Sequence, residues 1–474
     1  MNKDSKYLKL SIYILIYIFF NATLVFFFLE KYKFCLSSSV ISGLMLIFKV
    51  GNELYFKNKK YFNFGSLLII CALIFKFFGL LQVLIYTDSL DTWPFVITDS
   101  FTITNIQRLL CVLQGDWLSV LGTILVSLSW FHFGGVELTE KIKKNVEISG
   151  SKNIYWVLYF CAIFMEFISI LVPLPSIYIL ILTLYFGALF AVIMICNLYK
   201  KDVSKHKLLL AVFLLLPYLY NSFKTGMKES MIIALIPVII DFYFRFGSIT
   251  KKIILSFIGA FVFVGFSIFS NVTRAISWGS DRSVGLIELI SNFKSQFKNV
   301  EADFIFANLE QALKRITPLF YQGWTISLNY TDIKLSGLFT NVFTLLVPRF
   351  LWSGKPLNNP EYEMTVIFYG PEIAKSTSEA SGLYSEIFIK EGSLIFILTC
   401  IFLGWVIAKL QKISLSYGNH LTASVFNFIL LFSTLRFHEF YFTALFPGLL
   451  IKFIYIFAYC FAINLFFKKF TSKL

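Results

Sequence analysis

Charge is scarce in this chain. Only 15% of its 474 residues are Asp, Glu, Lys or Arg, whereas 57% are hydrophobic, Phe alone occurs 57 times, and the mean hydropathy is +0.75. Soluble domains carry about 25% charged residues, so a water-soluble globule is excluded and a membrane is implied. Histidine is scarcer still. There are four, His132, His206, His420 and His438, far apart in sequence, with no HExxH and no CxxC, which removes the familiar zinc signatures. GxGxxG and GxxxxGK[ST] are also absent, and with them the Gly-rich loops that cradle nucleotide phosphates. The cysteines, at 35, 71, 111, 161, 196, 400 and 460, all lie outside residues 272–386, so no disulfide framework staples that stretch.

What is present is one apolar run after another. A bilayer core of ~30 Å takes roughly 20 apolar residues per spanning helix. Runs of that kind lie near 8–29, 34–55, 62–86, 112–133, 154–172, 175–198, 208–222, 229–246, 253–271, 387–408, 421–436 and 441–467. The reading is an all-α polytopic membrane protein with about twelve spans: nine in 1–271, a large loop over 272–386, and three in 387–474. The first run follows Lys3, Lys6 and Lys9, but it is too long for a signal-peptide core and no small-residue cleavage site follows, so it is expected to stay as a helix.

Basic residues orient these spans, because short loops rich in Lys and Arg stay in the cytoplasm. With the N-terminus inside, the inside segments hold Lys57, Lys59 and Lys60, then Lys141, Lys143, Lys144 and Lys152, then Lys200, Lys201, Lys205 and Lys207, then Arg245, Lys251 and Lys252, and finally Lys409, Lys412, Lys468, Lys469 and Lys473. The short outside loops hold only Lys31, Lys33, Arg108, Lys224, Lys228 and Arg436. Both termini are therefore expected in the cytoplasm. The net charge of +15 is mostly this signal plus attraction to anionic lipid, and it forms no single patch for nucleic acid.

The loop 272–386 falls outside. Its apolar positions Leu286, Ile290, Phe293, Phe297, Val300 and Phe304, continuing to Leu309, Leu313 and Ile316, recur at helical spacing and predict amphipathic helices on the membrane surface. Leu335 to Val347 is apolar but too short to cross, which predicts a re-entrant or interfacial segment. It ends at "VPRFLWSGKP", where Pro348 and Pro356 fix the turn around Arg349 and Lys355. Glu361 and Glu363 in "EYE", and Asp88 and Asp91 in "DSLD", are the nearest approach to a metal-binding pair and read better as solvated loop carboxylates.

The outer side also collects Lys224, Lys228, Arg274, Arg282, Arg315, Arg349, Lys355 and Arg436. Singly, each is as well explained by snorkelling to headgroups. Together, with Lys228, Arg274 and Arg436 at the outer ends of spans, they suit an anionic group on a lipid, because guanidinium forks bind phosphate bidentately and lysine adds a point charge. Within the spans the charges are chiefly Lys49, Lys76, Glu166 and Lys452, and Lys76 with Glu166 is open to mutual neutralisation between helices.

The order of these features resembles the Wzy-type O-antigen and capsular polysaccharide polymerases, the oligosaccharide repeat-unit polymerases. The residues that carry the resemblance are "TGMK" at 225–228, Arg274 after the ninth span, and Pro348, Arg349, Trp352, Lys355 and Pro356 in the pattern PR-x-x-W-x-x-KP, followed by "STSEASGLYSEIF" from Ser376. Lys228 stands where that family more often has arginine. The resemblance implies a GT-C-like architecture in a bacterial inner membrane. It also implies transfer of a growing glycan from undecaprenyl diphosphate to a hydroxyl of another lipid-linked repeat unit at the periplasmic face, with no metal or other cofactor. On that reading Arg349 and Lys355 grip the diphosphate, while Arg274, Lys228, Arg282, Arg436 and Trp352 complete the lipid-diphosphate site. Glu379 and Glu386 are the candidate bases, with Asp281 a lesser one. The implied partners are the lipid-linked oligosaccharide, membrane lipids and a chain-length regulator protein.

Two rivals share parts of this layout. An O-antigen ligase resembles its relatives in using a histidine in the large periplasmic region, and residues 272–386 contain none. A lipid-linked oligosaccharide flippase needs cations lining a central cavity, and here the charges within spans are few.

The topology is directly testable. In a cysteine-free variant, single cysteines in place of Lys144 and Lys412 are expected to react with an impermeant thiol reagent only after the membrane is opened, and one in place of Gly323 before it. Labelling of position 323 only in opened membranes would place the loop in the cytoplasm.

Overall fold

The computed structural model describes residues 3–28, 31–51, 64–85, 105–135, 337–347, 352, 354, 355, 362, 363, 365, 366, 382–416, 426, 430, 433, 437 and 441–471. Among them every regular element is a helix: α1 (Lys3–Phe28), α2 (Tyr32–Gly51), α3 (Phe64–Ile85), α4 (Asn105–His132), α5 (Leu338–Leu346), α6 (Leu383–Ser416) and α7 (Phe442–Thr471). The chain forms two compact units, one of Met1–Lys141, Leu313–Tyr417 and Leu430–Ala462, the other of Ile142–Ala312, Gly418–Ile429 and Ile463–Leu474. Every contact described below lies within the first.

Among the described residues four stretches are long and apolar enough to cross a membrane: Leu10–Phe28, Phe64–Leu81, Val112–His132 and Leu383–Ser416. Phe34–Val50 and Phe442–Ala458 are shorter apolar helices. Such segments form helices because lipid offers backbone N–H and C=O groups no partner, so each helix must satisfy its own. This is an all-α, membrane-embedded protein. The expected spans 154–172, 175–198, 208–222, 229–246 and 253–271, and the amphipathic helices over 286–316, lie outside the described residues. Of 421–436 only Phe426, Leu430 and Ser433 are described, each helical.

The first helices pack through small and polar residues, as association in lipid requires where apolar burial drives little. Asn21 Nδ2 donates to the Tyr17 carbonyl at 2.8 Å, and its Oδ1 accepts from Ser39 Oγ at 2.8 Å. As α1 runs from Tyr17 to Phe28, its partners on α2 run back from Gly43 to Cys35, so the two are antiparallel. α3 and α4 are antiparallel too, with Gly65 beside Ser127 at one end and Lys76 beside Asp116 towards the other.

α4 and α6 are different: they run in the same direction. Gly404 meets the Val126 carbonyl, Gln411 Oε1 accepts from Trp130 Nε1 at 3.0 Å, and Lys412 lies against Gly134. Both helices therefore leave the membrane on one face.

α6 is also not one rod. Gly392 has φ 78° and ψ −178°, a conformation essentially confined to glycine. Across it, the Tyr384 and Phe396 rings lie 6.4 Å apart and the Phe388 and Phe396 rings 6.1 Å apart. In an unbroken helix residues 384 and 396 would be separated by ~18 Å along the axis. A short arm, residues 383–391, therefore turns back on a long arm, residues 393–416. The long arm alone gives ~36 Å of helix, enough to cross. The sequence reading began this span at 387; the reversal at Gly392 moves the crossing beyond Lys390 and Glu391.

The α4–α6 contact rests on missing side chains. A Cβ on Gly404 would overlap the Val126 carbonyl, and one on Gly122 would overlap the Tyr384 ring, whose hydroxyl lies 3.0 Å from Thr123 Oγ1. Gly404→Ala is expected to lower the melting temperature of detergent-purified protein, the cost being of the ~1–3 kcal/mol order of overpacking. Gly448→Ala, with open space where its Cβ would stand, should leave it unchanged or raised. Equal melting of Gly404→Ala and wild type would refute the close contact.

Candidate functional site

Two charged clusters are buried among the described residues of this unit. In the first, Lys76 Nζ on α3 lies 2.8 Å from Asp116 Oδ2 on α4, with side chains 2% and 0% exposed. The same ammonium sits 3.6 Å from the centre of the Tyr17 ring on α1, a cation–π contact in a desolvated place. Glu166, with which mutual neutralisation was left open, lies outside the described residues. Asp116 stands against Lys76 because the antiparallel register of α3 and α4 places 76 opposite 116. An aspartate in the otherwise apolar run "VLQGDWLSVLG" was the signal available in the sequence. The pair is enclosed by α1, α3 and α4, so its geometry is that of a pin between helices. Lys49, also within a span, stands 5.2 Å from the Tyr13 ring.

The second cluster surrounds the reversal at Gly392, and four pieces of chain meet there. Glu386, on the short arm, is 0% exposed. Its Oε1 accepts from Thr443 Oγ1 at 2.7 Å, its Oε2 accepts from the Thr443 N–H at 3.1 Å, and Lys390 Nζ stands 3.2 Å from Oε1. Lys390, one turn on and 1% exposed, also reaches Glu363 Oε2 at 3.3 Å. Glu391 Oε1 accepts from the Leu338 N–H at 3.0 Å, placing a carboxylate at the start of α5, where helix N–H groups lack partners. Thr443 belongs to the first turn of α7, so α5, α6, α7 and the segment at 362–366 are tied together by charge-assisted hydrogen bonds.

This geometry revises one expectation and extends two others. Glu363 was read as a solvated loop carboxylate; it is ion-paired with Lys390, though still 28% exposed. Glu386, a candidate base, is sealed between Lys390 and Thr443. Leu335 to Val347 was expected as a short re-entrant or interfacial segment; it contains α5, and the carbonyl of Val347, the residue that caps α5, is claimed by the motif itself. Lys355 Nζ donates to the Val347 carbonyl at 2.9 Å, and the Lys355 N–H donates to the Trp352 carbonyl at 3.1 Å. A lysine at a helix C-terminus complements the negative end of the dipole. "VPRFLWSGKP" is thus a loop whose two ends are fastened to each other, with Trp352 41% exposed. Arg349, Glu379, Lys228, Arg274, Arg282 and Arg436, and with them Asp281, lie outside the described residues.

Lys390, Glu391 and Thr443 were missed from sequence. The Glu386–Lys390 spacing is the i,i+4 pair of a helix and was legible in "SEIFIKEG". Among the described residues no group of three or more His, Cys, Asp or Glu is arranged to hold a metal ion. In the second cluster an ammonium stands between the carboxylates of Glu363 and Glu386. Cys35, Cys71 and Cys400 are buried, and His132 ends α4 with its ring 5.0 Å from that of Phe133. Comparison of the chain with family models, with curated proteins and with solved structures yields no match.

The first cluster makes a prediction about stability. Removing one member of a buried pair strands the other charge and costs about 3–5 kcal/mol, whereas replacing both by apolar residues is often neutral. Lys76→Met and Asp116→Leu alone are expected to lower the yield and melting temperature of detergent-purified protein, and the double variant to recover most of the loss. A double variant as impaired as the sum of the singles would show that the pair is not a structural pin.

Proposed function

We propose that the protein is a polysaccharide polymerase, a glycosyltransferase that joins undecaprenyl-diphosphate-linked oligosaccharide repeat units at the periplasmic face of a bacterial inner membrane. The observation that carries this reading is the build of the PR-x-x-W-x-x-KP loop. Its ends are fastened by Lys355 and Val347, α5 is anchored by Glu391 to the turn of α6, and a carboxylate–ammonium cluster lies at that same turn. Support also comes from the outer cations read in the sequence and from the parallel course of α4 and α6, which suits a chain of twelve spans with both termini inside.

The chemistry follows from where charge grows. The bond between the anomeric carbon and the diphosphate breaks, and the diphosphate leaves with the electron pair. Cations fixed at that point bind the transition state more tightly than the ground state, an effect of about 3–4 kcal/mol for a well-placed donor. Diphosphate is already a good leaving group, so the reading calls for no metal. Arg349 supplies the fork, and Lys228, Arg274, Arg282 and Arg436 add charge around it. Lys355 contributes by closing the loop that presents Arg349, and Trp352 offers its exposed ring to the substrate. The flippase alternative leans on charge inside the bundle, but Lys76 is neutralised by Asp116. The ligase alternative lacks a histidine in 272–386.

Arg349 decides the matter experimentally. Purified wild-type protein supplied with undecaprenyl-diphosphate-linked repeat units, extracted from cells lacking it, is expected to make long chains. Arg349→Ala should cut the rate by about 100-fold or more. Arg349→Lys should restore only part, because an ammonium keeps the charge but not the planar fork. Polymer from Arg349→Ala at the wild-type rate would overturn the proposal.

A further inference from the structure

A polymerase of this kind must also take a proton from the acceptor hydroxyl, and among the described carboxylates the geometry separates those open to a substrate from those that are not. A general base must come within ~2.6–3.2 Å of the group it deprotonates. Glu386 does not meet that condition. Its side chain is fully buried, its two oxygens face Thr443 and Lys390, and a sugar has no approach to it. Glu363 shares the same ammonium at 3.3 Å yet is 28% exposed. It lies a few residues past the motif in the chain and follows Tyr362, which is 40% exposed. An exposed aromatic ring beside a carboxylate in the chain suits the mixed apolar and hydroxylated faces of a pyranose.

Resting on the polymerase reading, we infer that Glu363 is the general base of the transfer, and that Lys390, Glu386 and Thr443 are positioning residues behind it. Thr443 holds both oxygens of Glu386, Glu386 holds Lys390, and Lys390 holds Oε2 of Glu363. The chain of contacts fixes the carboxylate without touching the sugar. In the step itself the acceptor O–H bond breaks and its proton passes to Glu363. The freed electron pair of that oxygen forms the bond to the anomeric carbon, and the bond from that carbon to the diphosphate oxygen breaks, its electron pair leaving on the diphosphate. Glu363 then gives the proton to water. The role expected for Glu386 passes to a neighbour eclipsed in the sequence by its place in a short acidic "EYE".

The test uses full-length protein in proteoliposomes with the extracted lipid-linked repeat units. Glu363→Gln should lower kcat by about 100-fold or more with KM changed less than threefold. Glu363→Asp should retain an intermediate rate, and sodium formate should raise the rate of Glu363→Ala at least tenfold. Lys390→Met should lower kcat while Lys390→Arg recovers most of it, the pattern of a residue that orients rather than reacts. Membrane levels and melting of each variant are measured alongside, and Glu363→Asp serves as the folded, charged control. Wild-type rates in Glu363→Gln, while wild-type protein polymerises and Arg349→Ala does not, would overturn this inference and leave the polymerase reading standing. A wild-type protein that makes no polymer would overturn both.

Discussion

Backbone contact between α4 and α6 at Gly404 is the constraint on which the rest of this unit hangs. Lipid tails are as apolar as leucine side chains, so helices in a bilayer hold together by close van der Waals packing and a few polar bonds. Gly404 lets α6 reach the Val126 carbonyl, and one turn along α4 the buried Trp130 donates to Gln411 while packing against Phe64 of α3. With the long arm fixed in this way, Gly392 returns the chain and Gly122 leaves room for Tyr384. Glu386 and Lys390 are carried to their places by that return. A side chain on either contact glycine would therefore disturb the charged cluster without touching it.

The two buried clusters differ in a way that bears on function. Lys76 and Asp116 balance one to one and are shut in on all sides, which is how a charge survives in an apolar interior when nothing needs to reach it. The cluster at the turn of α6 sets two carboxylates against one ammonium, and one of those carboxylates is partly exposed. Such a network is well determined at its buried end and open at the other. That is the arrangement expected where a scaffold must hold a reactive group in one orientation.

Much of the helical layout was legible because apolar run length is a local signal: the boundaries of α1, α2, α3 and α7 fall within a few residues of those read from sequence. What escaped was whatever depends on register or on a single dihedral. Lys76 finds Asp116 only once α3 and α4 are aligned. The reversal at Gly392 left no mark, since glycine is common in membrane helices and the apolar run simply continues past it. The bond from Lys355 to the Val347 carbonyl, just past the end of α5, likewise shows only once the chain is folded. Glu363 read as solvated, and its partner Lys390 stands 27 residues away in the chain, where no local spacing points to it. The arginines that the resemblance favours lie outside the described residues, so the site is legible here from its carboxylate side.

The Lys76–Asp116 pair also reaches back into how the chain is made. A lysine or an aspartate at the middle of a membrane helix opposes insertion by about 2.5–3.5 kcal/mol. Asp116 leaves the ribosome about 40 residues after Lys76, a lag of ~2–8 s at ordinary rates of synthesis. During that interval α3 carries an uncompensated charge and gains by waiting in the insertion machinery. Partition of α3 into lipid gains once α4 brings the opposite sign, so the pair favours entry of the two helices together over entry of α3 alone.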